Sequence, residues 1–189
     1  ANGAWDVART CRAAALLDPG RIAWLEQPVP ADDAGALAAA CRHARERGHR
    51  VAADESVRGP DDVRRIARER AADVIVVKLV QVKGLRRAVA SARVAREAGL
   101  DVVVTSGLES SLGTAAALHL AAALASRTEA PLPAGVATTG LLAGDLVERP
   151  VAAAWSLTLP PGPGLGVTLA PRWRARGSAD QQPFAGGVA

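Results

Sequence analysis

Three side chains capable of acid–base or metal-ligating chemistry sit at the ends of apolar runs. Glu26 follows Ile22-Ala23-Trp24-Leu25, Asp54 follows His49-Arg50-Val51-Ala52-Ala53, and Lys78 lies within Val74-Ile75-Val76-Val77-Lys78-Leu79-Val80. Two carboxylates offer hard oxygen donors to a divalent cation. A lysine desolvated near a strand end can hold or exchange a proton. Lys78 is also unusual for its type. The chain carries 21 Arg but only two Lys, Lys78 and Lys83. A guanidinium keeps its proton at any useful pH, whereas a buried ammonium can give it up. Taken singly, these residues admit plainer readings. Lys78 can pair with a carboxylate, Glu26 can be a solvated strand end, and Asp54-Glu55-Ser56 can cap the following helix.

The intervals from Glu26 to Asp54 and from Asp54 to Lys78 are 28 and 24 residues. That is the length of one strand, loop and helix. The hydrophobic pattern predicts helices over Ala4–Leu17, Ala34–Arg47, Pro60–Arg70, Leu85–Ala98 and Leu112–Ser126. It predicts strands over Ile22–Leu25, Arg50–Ala53, Asp73–Val80, Asp101–Thr105 and Gly135–Gly140. Pro60 at a helix entry with Asp61 and Asp62 in its first turn, and Gly99 just past a helix end, follow the usual terminus preferences. Alternating strands and helices imply a parallel sheet. All strand carboxyl ends then lie on one edge, so Glu26, Asp54 and Lys78 converge at one mouth.

Composition sets the bounds. The chain has 189 residues, 49% of them hydrophobic, enough for one packed domain. Its pI is near 10.0, but the net charge is only +4 and aromatics are 3% of residues. The arginines are mixed with acids, with no basic stripe interleaved with aromatics, so nucleic-acid binding is not expected. No apolar run approaches the ~20 residues of a membrane span. No signal peptide is evident, and Cys11 and Cys41 lack metal-type spacing. The expectation is a cytoplasmic protein with two reduced core thiols. Three histidines, His43, His49 and His119, also lack ligand spacing. Nothing in the sequence sets an oligomeric state.

Five βα units do not close a barrel, which takes eight and about 250 residues. The expected architecture is therefore α/β, the C-terminal part of a (β/α) TIM-type barrel incomplete at its N-terminus. Residues 1–150 form the partial barrel, 151–180 a segment returning toward a capping domain, and 181–189 a loose tail. With Asn2-Gly3-Ala4-Trp5, Glu26-Gln27-Pro28, Asp54-Glu55-Ser56 and Lys78 in this order, the chain resembles the enolase superfamily and its muconate-lactonising subgroup. Thr105-Ser106-Gly107-Leu108-Glu109-Ser110-Ser111-Leu112-Gly113 is most similar to the o-succinylbenzoate synthase branch. Ala137-Thr138-Thr139-Gly140 and Pro163-Gly164-Leu165-Gly166-Val167 resemble later segments of the same family.

The resemblance implies a site. Glu26 and Asp54 would be ligands of Mg²⁺, with Mn²⁺ as the alternative, and Lys78 the catalytic lysine. Glu55 would orient a lysine or ligand from behind. Asn2, Ser106, Gly107, Glu109, Ser110, Ser111 and Thr139 would bind a small-molecule carboxylate substrate. The implied chemistry is proton removal next to a carboxylate, giving an enediolate stabilised by the cation. The expected reaction is dehydration of 2-succinyl-6-hydroxy-2,4-cyclohexadiene-1-carboxylate in menaquinone biosynthesis. An N-acylamino acid racemase or dipeptide epimerase is the alternative. Ala137-Thr138-Thr139 lacks the Asp-x-Asp that would mark the epimerase. A non-catalytic truncated α/β domain is the third reading. One departure stands out: Lys83-Gly84 occupies the place of the family's Gly-Gly. The resemblance also implies an Asp before Ala1 and a Lys-x-Lys on an earlier strand. The 189 residues alone are thus expected to bind Mg²⁺ poorly and to be inactive.

Overall fold

In the computed structural model, residues 1–127, 131–152 and 154–173 are described. Helices and strands alternate: α1 Val7–Leu16, β1 Leu25–Glu26, α2 Ala34–Arg45, β2 Val51–Ala53, α3 Pro60–Glu69, β3 Val74–Lys78, α4 Leu85–Glu97, β4 Asp101–Thr105 and α5 Ser111–Ala125. The four strands pair in sequence order, all parallel. The 181–189 tail lies outside the described residues, as do 174–180 of the preceding segment. Among the described residues no helix is long and apolar enough to cross a membrane.

The period-two alternation of a strand assigns its side chains to two layers. Ile75, Val77, Val51, Ala53 and Val104 pack into a large core with Leu37, Ile66, Ala88 and Ala117 from the helices. Val74, Val76, Ala52 and Val103 form a second cluster on the opposite face, against Trp24 and Leu132. Lys78 shares parity with Val74 and Val76, Asp54 with Ala52, and Glu26 with Trp24. The alternation that buries both layers therefore places the three chemical side chains on the face away from the helices. At the other end of the sheet, Asp73 accepts from the Val51 amide (2.8 Å) and Arg45 Nε (2.8 Å), tying β2, β3 and α2 together.

Four strands fall short of their predicted lengths: Arg50–Ala53 narrows to Val51–Ala53, Asp73–Val80 to Val74–Lys78, and two others shrink further. Only Leu25–Glu26 pairs, opposite Val51 and Ala52, and Ile22 to Trp24 lies outside the ladder. The predicted strand over Gly135–Gly140 reduces to one parallel bridge between Gly135 and Thr105, followed by a 3-10 turn over Thr139–Leu141. Gly135 is fitted to that bridge, since a Cβ there would meet Thr105 Cγ2 at 3.0 Å.

The β3–α4 connection contains the departure noted above. Lys83 adopts φ 64° and Gly84 φ 108°. The left-handed region suits glycine at both positions, and an exposed lysine there carries a steric cost without a compensating contact. Lys83→Gly is expected to raise unfolding stability by about 0.5–1 kcal/mol, read as a higher denaturant midpoint with an unchanged slope. A lower midpoint would show that the lysine side chain contributes more than its backbone costs.

Candidate active site

Lys78 Nζ and Asp54 Oδ2 form an ion pair across the ends of β3 and β2. The Asp54 side chain is 4% exposed and that of Lys78 23%, so the pair is shielded but opens toward the mouth. Burial lifts the Asp54 carboxyl above its ordinary range. The hydrogen bond and charge of Lys78 oppose that shift, and the neighbouring charges of Glu55 and Glu26 reinforce it. Glu26 is half-buried, and its Oε2 accepts from Trp24 Nε1 at 3.1 Å. Asp54 Oδ1 and Glu55 Oε2 are buried without a protein partner. Asp54-Glu55-Ser56 does not cap α3, whose N-cap is Gly59.

Two glutamines hold this corner, and neither was marked by the sequence reading. Gln27 is fully buried at φ 35°. Its Oε1 accepts from the Asp54 amide (3.0 Å) and the Ser56 amide (3.2 Å). Its Nε2 donates to Val29 O and to Ser56 Oγ, both at 2.9 Å. From the other side, Gln81 Nε2 donates to Asp54 O (2.7 Å) and Val57 O (3.0 Å). Residues 1–5 run beside the end of β1, with Gly3 N donating to Gln27 O at 2.7 Å and Trp5 N to Pro28 O at 2.9 Å. Asn2 lies on that run, exposed and at φ 52°.

The β4–α5 loop follows Thr105, which pairs with Lys78 in register. Ser106 Oγ shares a hydrogen bond with Thr138 Oγ1 at 2.9 Å, and Thr138 Oγ1 in turn donates to Gly107 O at 2.7 Å. Glu109 folds back so that its Oε1 accepts from the Gly107 amide at 2.8 Å. Ser110 is the N-cap of α5, yet its side chain makes no capping bond. Asp145 does that work: it accepts from the Ser111 amide at 3.0 Å and from Ser111 Oγ at 2.6 Å. Burial opposes the shift, but the Ser111 bonds and the amides of Leu146 and Val147 hold the Asp145 carboxyl below its usual range. Ser111 is fully buried and its hydroxyl also accepts from Val151 N at 2.7 Å. Its hydroxyl is thus engaged within the chain both as donor and as acceptor. Thr139 likewise donates to Val151 O at 2.7 Å, while Thr138 is the threonine that joins the loop.

The remaining polar groups are structural. His49 is buried against Ala14 O (3.1 Å) and His119 against Leu165 O (3.3 Å). Cys11 and Cys41 are both free thiols. Burial, with the adjacent charge of Asp73, pushes the Cys41 thiol up to about 12, which disfavours the thiolate.

The donor set at the strand ends suits a hard cation. Glu26 and Asp54 are oxygen donors close enough for their charges to interact, and Asp54 Oδ1 is buried without a partner. Among the described residues no group of three or more His, Cys, Asp or Glu forms a complete metal cluster. The two carboxylates therefore fit part of a coordination shell.

The sequence matches the "Enolase C-terminal domain-like" family over residues 1–173. It is 41% identical over 150 residues to an o-succinylbenzoate synthase of Thermobifida fusca, covering 79% of this chain and 44% of that protein. It is 37% identical over 171 residues to a chloromuconate cycloisomerase of Cupriavidus pinatubonensis, covering 89% and 44%. The fold superimposes with a TM-score of 0.79 on a dipeptide epimerase from Enterococcus faecalis complexed with Mg and L-Leu-L-Tyr, at 27% identity, covering 89% of this chain and 46% of that one. The chain thus spans under half the length of the relatives it matches, as part of an α/β barrel with a parallel sheet.

The raised Asp54 carboxyl has a consequence for stability. The folded chain binds a proton there more readily than the unfolded chain does. The group's contribution is therefore full below its unfolded value of 3.8 and is lost as pH rises through the folded value. Asp54→Asn cannot ionise and should gain stability relative to the native chain as pH is raised from 3.8 toward neutrality. Denaturant titration of both proteins across that range measures the difference. A gap that stays constant or narrows in that direction would contradict the shift.

Proposed function

The chain belongs to the Enolase C-terminal domain-like family, and from that premise we propose that it carries the catalytic mouth of a Mg²⁺-dependent lyase of the o-succinylbenzoate synthase type. The observation that carries this reading is the Lys78–Asp54 pair on the open face of the sheet, with Asp54 Oδ1 unpartnered and Glu26 alongside. The identity to the Thermobifida fusca synthase supports the reaction type. In the proposed reaction, the lysine of the Lys-x-Lys that the resemblance implies takes the proton next to the carboxylate of 2-succinyl-6-hydroxy-2,4-cyclohexadiene-1-carboxylate and returns it to the hydroxide that departs from the ring. The products are water and an aromatic ring, a step of menaquinone biosynthesis in the cytoplasm.

Glu26 and Asp54 would hold Mg²⁺, or Mn²⁺ in its place, whose bound charge stabilises the second negative charge of the enediolate. Lys78 Nζ keeps its proton and adds a fixed positive charge beside the same group. Its partial burial makes that charge more effective than a solvated one. Glu55 adds negative charge beside Asp54 and would orient a lysine or ligand from behind. Ser106, Gly107, Glu109 and Ser110, with Asn2 at the rim, would bound the space for the substrate carboxylates, and Thr139 would support it from within through Val151 O. The partner is a small molecule, with no role for nucleic acid or membrane.

A second reading is supported by the superposition on the dipeptide epimerase. There Lys78 would exchange the proton at a chiral centre. Ala137-Thr138-Thr139, without a carboxylate, favours the lyase.

The test compares this chain with a longer polypeptide that continues its reading frame upstream. The 189 residues alone should not turn over the cyclohexadiene substrate, whereas the longer protein should dehydrate it in Mg²⁺. Lys78→Ala in the longer protein should lower kcat by about 10²–10⁴-fold. Racemisation of N-acylamino acids or dipeptides without dehydration would replace the lyase with the second reading. Activity that survives Lys78→Ala would overturn both.

A further inference from the structure

The turn that carries Asp54 is gripped from both neighbouring strands. It closes on itself through Val57 N to Asp54 O at 2.8 Å. Gln27, from the end of β1, accepts the Asp54 and Ser56 amides. Gln81, from the turn after β3, donates to the Asp54 and Val57 carbonyls. The two faces of the Asp54 backbone are thus held by side chains from opposite sides, N–H by one glutamine and C=O by the other. Gln27 adopts this position at φ 35°, a conformation that a side-chain-bearing residue enters only when surrounding structure fixes it.

We propose that Gln81, acting with Gln27, is a positioning residue that fixes the direction of the Asp54 carboxylate. This rests on the reading of Asp54 as a cation ligand. The argument is geometric. Asp54 lies one residue past the last paired residue of β2, so the ladder that orders Ala52 and Ala53 no longer fixes its peptide plane. A rotation of that plane would swing Oδ1 out of the place where it lies buried and unpartnered, and Oδ2 away from Lys78. Gln81 reaches the turn from the same connection that follows Lys78, three residues on. One short segment therefore supplies both the lysine that pairs with Asp54 and the amide that holds Asp54's carbonyl. Gln27 is too deeply buried for a clean substitution, whereas Gln81 is half-buried and its removal spares the core.

The test uses Gln81→Met, which keeps the reach but removes both N–H donors, and Gln81→Lys, which keeps the reach and a donor. Each substitution is made in the longer protein of the preceding test, and two quantities are measured: amide hydrogen exchange, and Mn²⁺ affinity from the free-ion resonance signal. In Gln81→Met the amides of Ser56 and Val57 should exchange about tenfold faster while Val74 to Val77 stay unchanged, and Mn²⁺ should bind about tenfold more weakly. Gln81→Lys should restore both. Unchanged exchange in the turn overturns the clamp. Faster exchange with unaltered Mn²⁺ affinity overturns the positioning role and leaves a structural tie. A native longer protein that binds no Mn²⁺ at all, while the turn still responds to Gln81→Met, refutes the cation reading of Asp54 and, with it, the positioning role.

Discussion

A carboxylate that is nearly sealed from water and a lysine beside it constrain everything around them. Removing either charge from solvent is costly, and their attraction offsets that cost only with close geometry and satisfied neighbours. Asp54 and Lys78 meet the first condition through adjacent parallel strands. They meet the second incompletely, since Asp54 Oδ1 has no partner. A pair tuned for stability alone would not leave that oxygen bare. The imperfection is what makes the corner chemically available, and it explains why burial still dominates the Asp54 carboxyl despite the adjacent ammonium.

The rest of the fold can be read as what this pair requires. Parallel pairing sends every strand end to the same edge, and period-two alternation selects which side of the sheet each end faces. Helices α2 to α5 cover the other side with a core that contains no charged residue among its buried members. The face bearing Glu26, Asp54 and Lys78 is narrow and apolar below them, closed by Val74, Val76, Ala52 and Val103. Rigid strands fix Cα positions. They do not fix side-chain direction one residue beyond the ladder, and there the glutamines and the residue 1–5 run take over.

Much of this was legible in the sequence because it depends on hydrophobic periodicity and on residue type. Val74 to Lys78, Asp101 to Thr105 and the helices between them follow directly from apolar spacing and terminus signals. The weak elements were misjudged for a physical reason. Ile22-Ala23-Trp24 is apolar enough for a strand but has no pairing neighbour, and Gly135 to Gly140 contains a glycine at each end and only a single bridge. Strand length is a property of the partner as well as of the segment, and no local pattern carries the partner. Ser111 shows the same dependence on a distant partner: the resemblance offers it as a substrate contact, and Asp145, 34 residues later, reaches back to it.

Glu26, Asp54 and Lys78 were visible because carboxylates and a lysine are conspicuous against apolar strands. Gln27, Gln81 and Asp145 were not, because their partners are backbone N–H and C=O groups, and every residue carries those. A supporting side chain of this kind can be almost any polar type with suitable reach. Its identity is set by the distance between two chain segments rather than by the chemistry it performs. The reactive groups of such a site are therefore the part that sequence announces, while the groups that aim them emerge only once the segments are placed side by side. In this chain the two sets interlock at a single residue, Asp54, whose two flanking peptides are held by different glutamines. The aim of the ligand and its charge are thus set by different residues, and they can be altered separately.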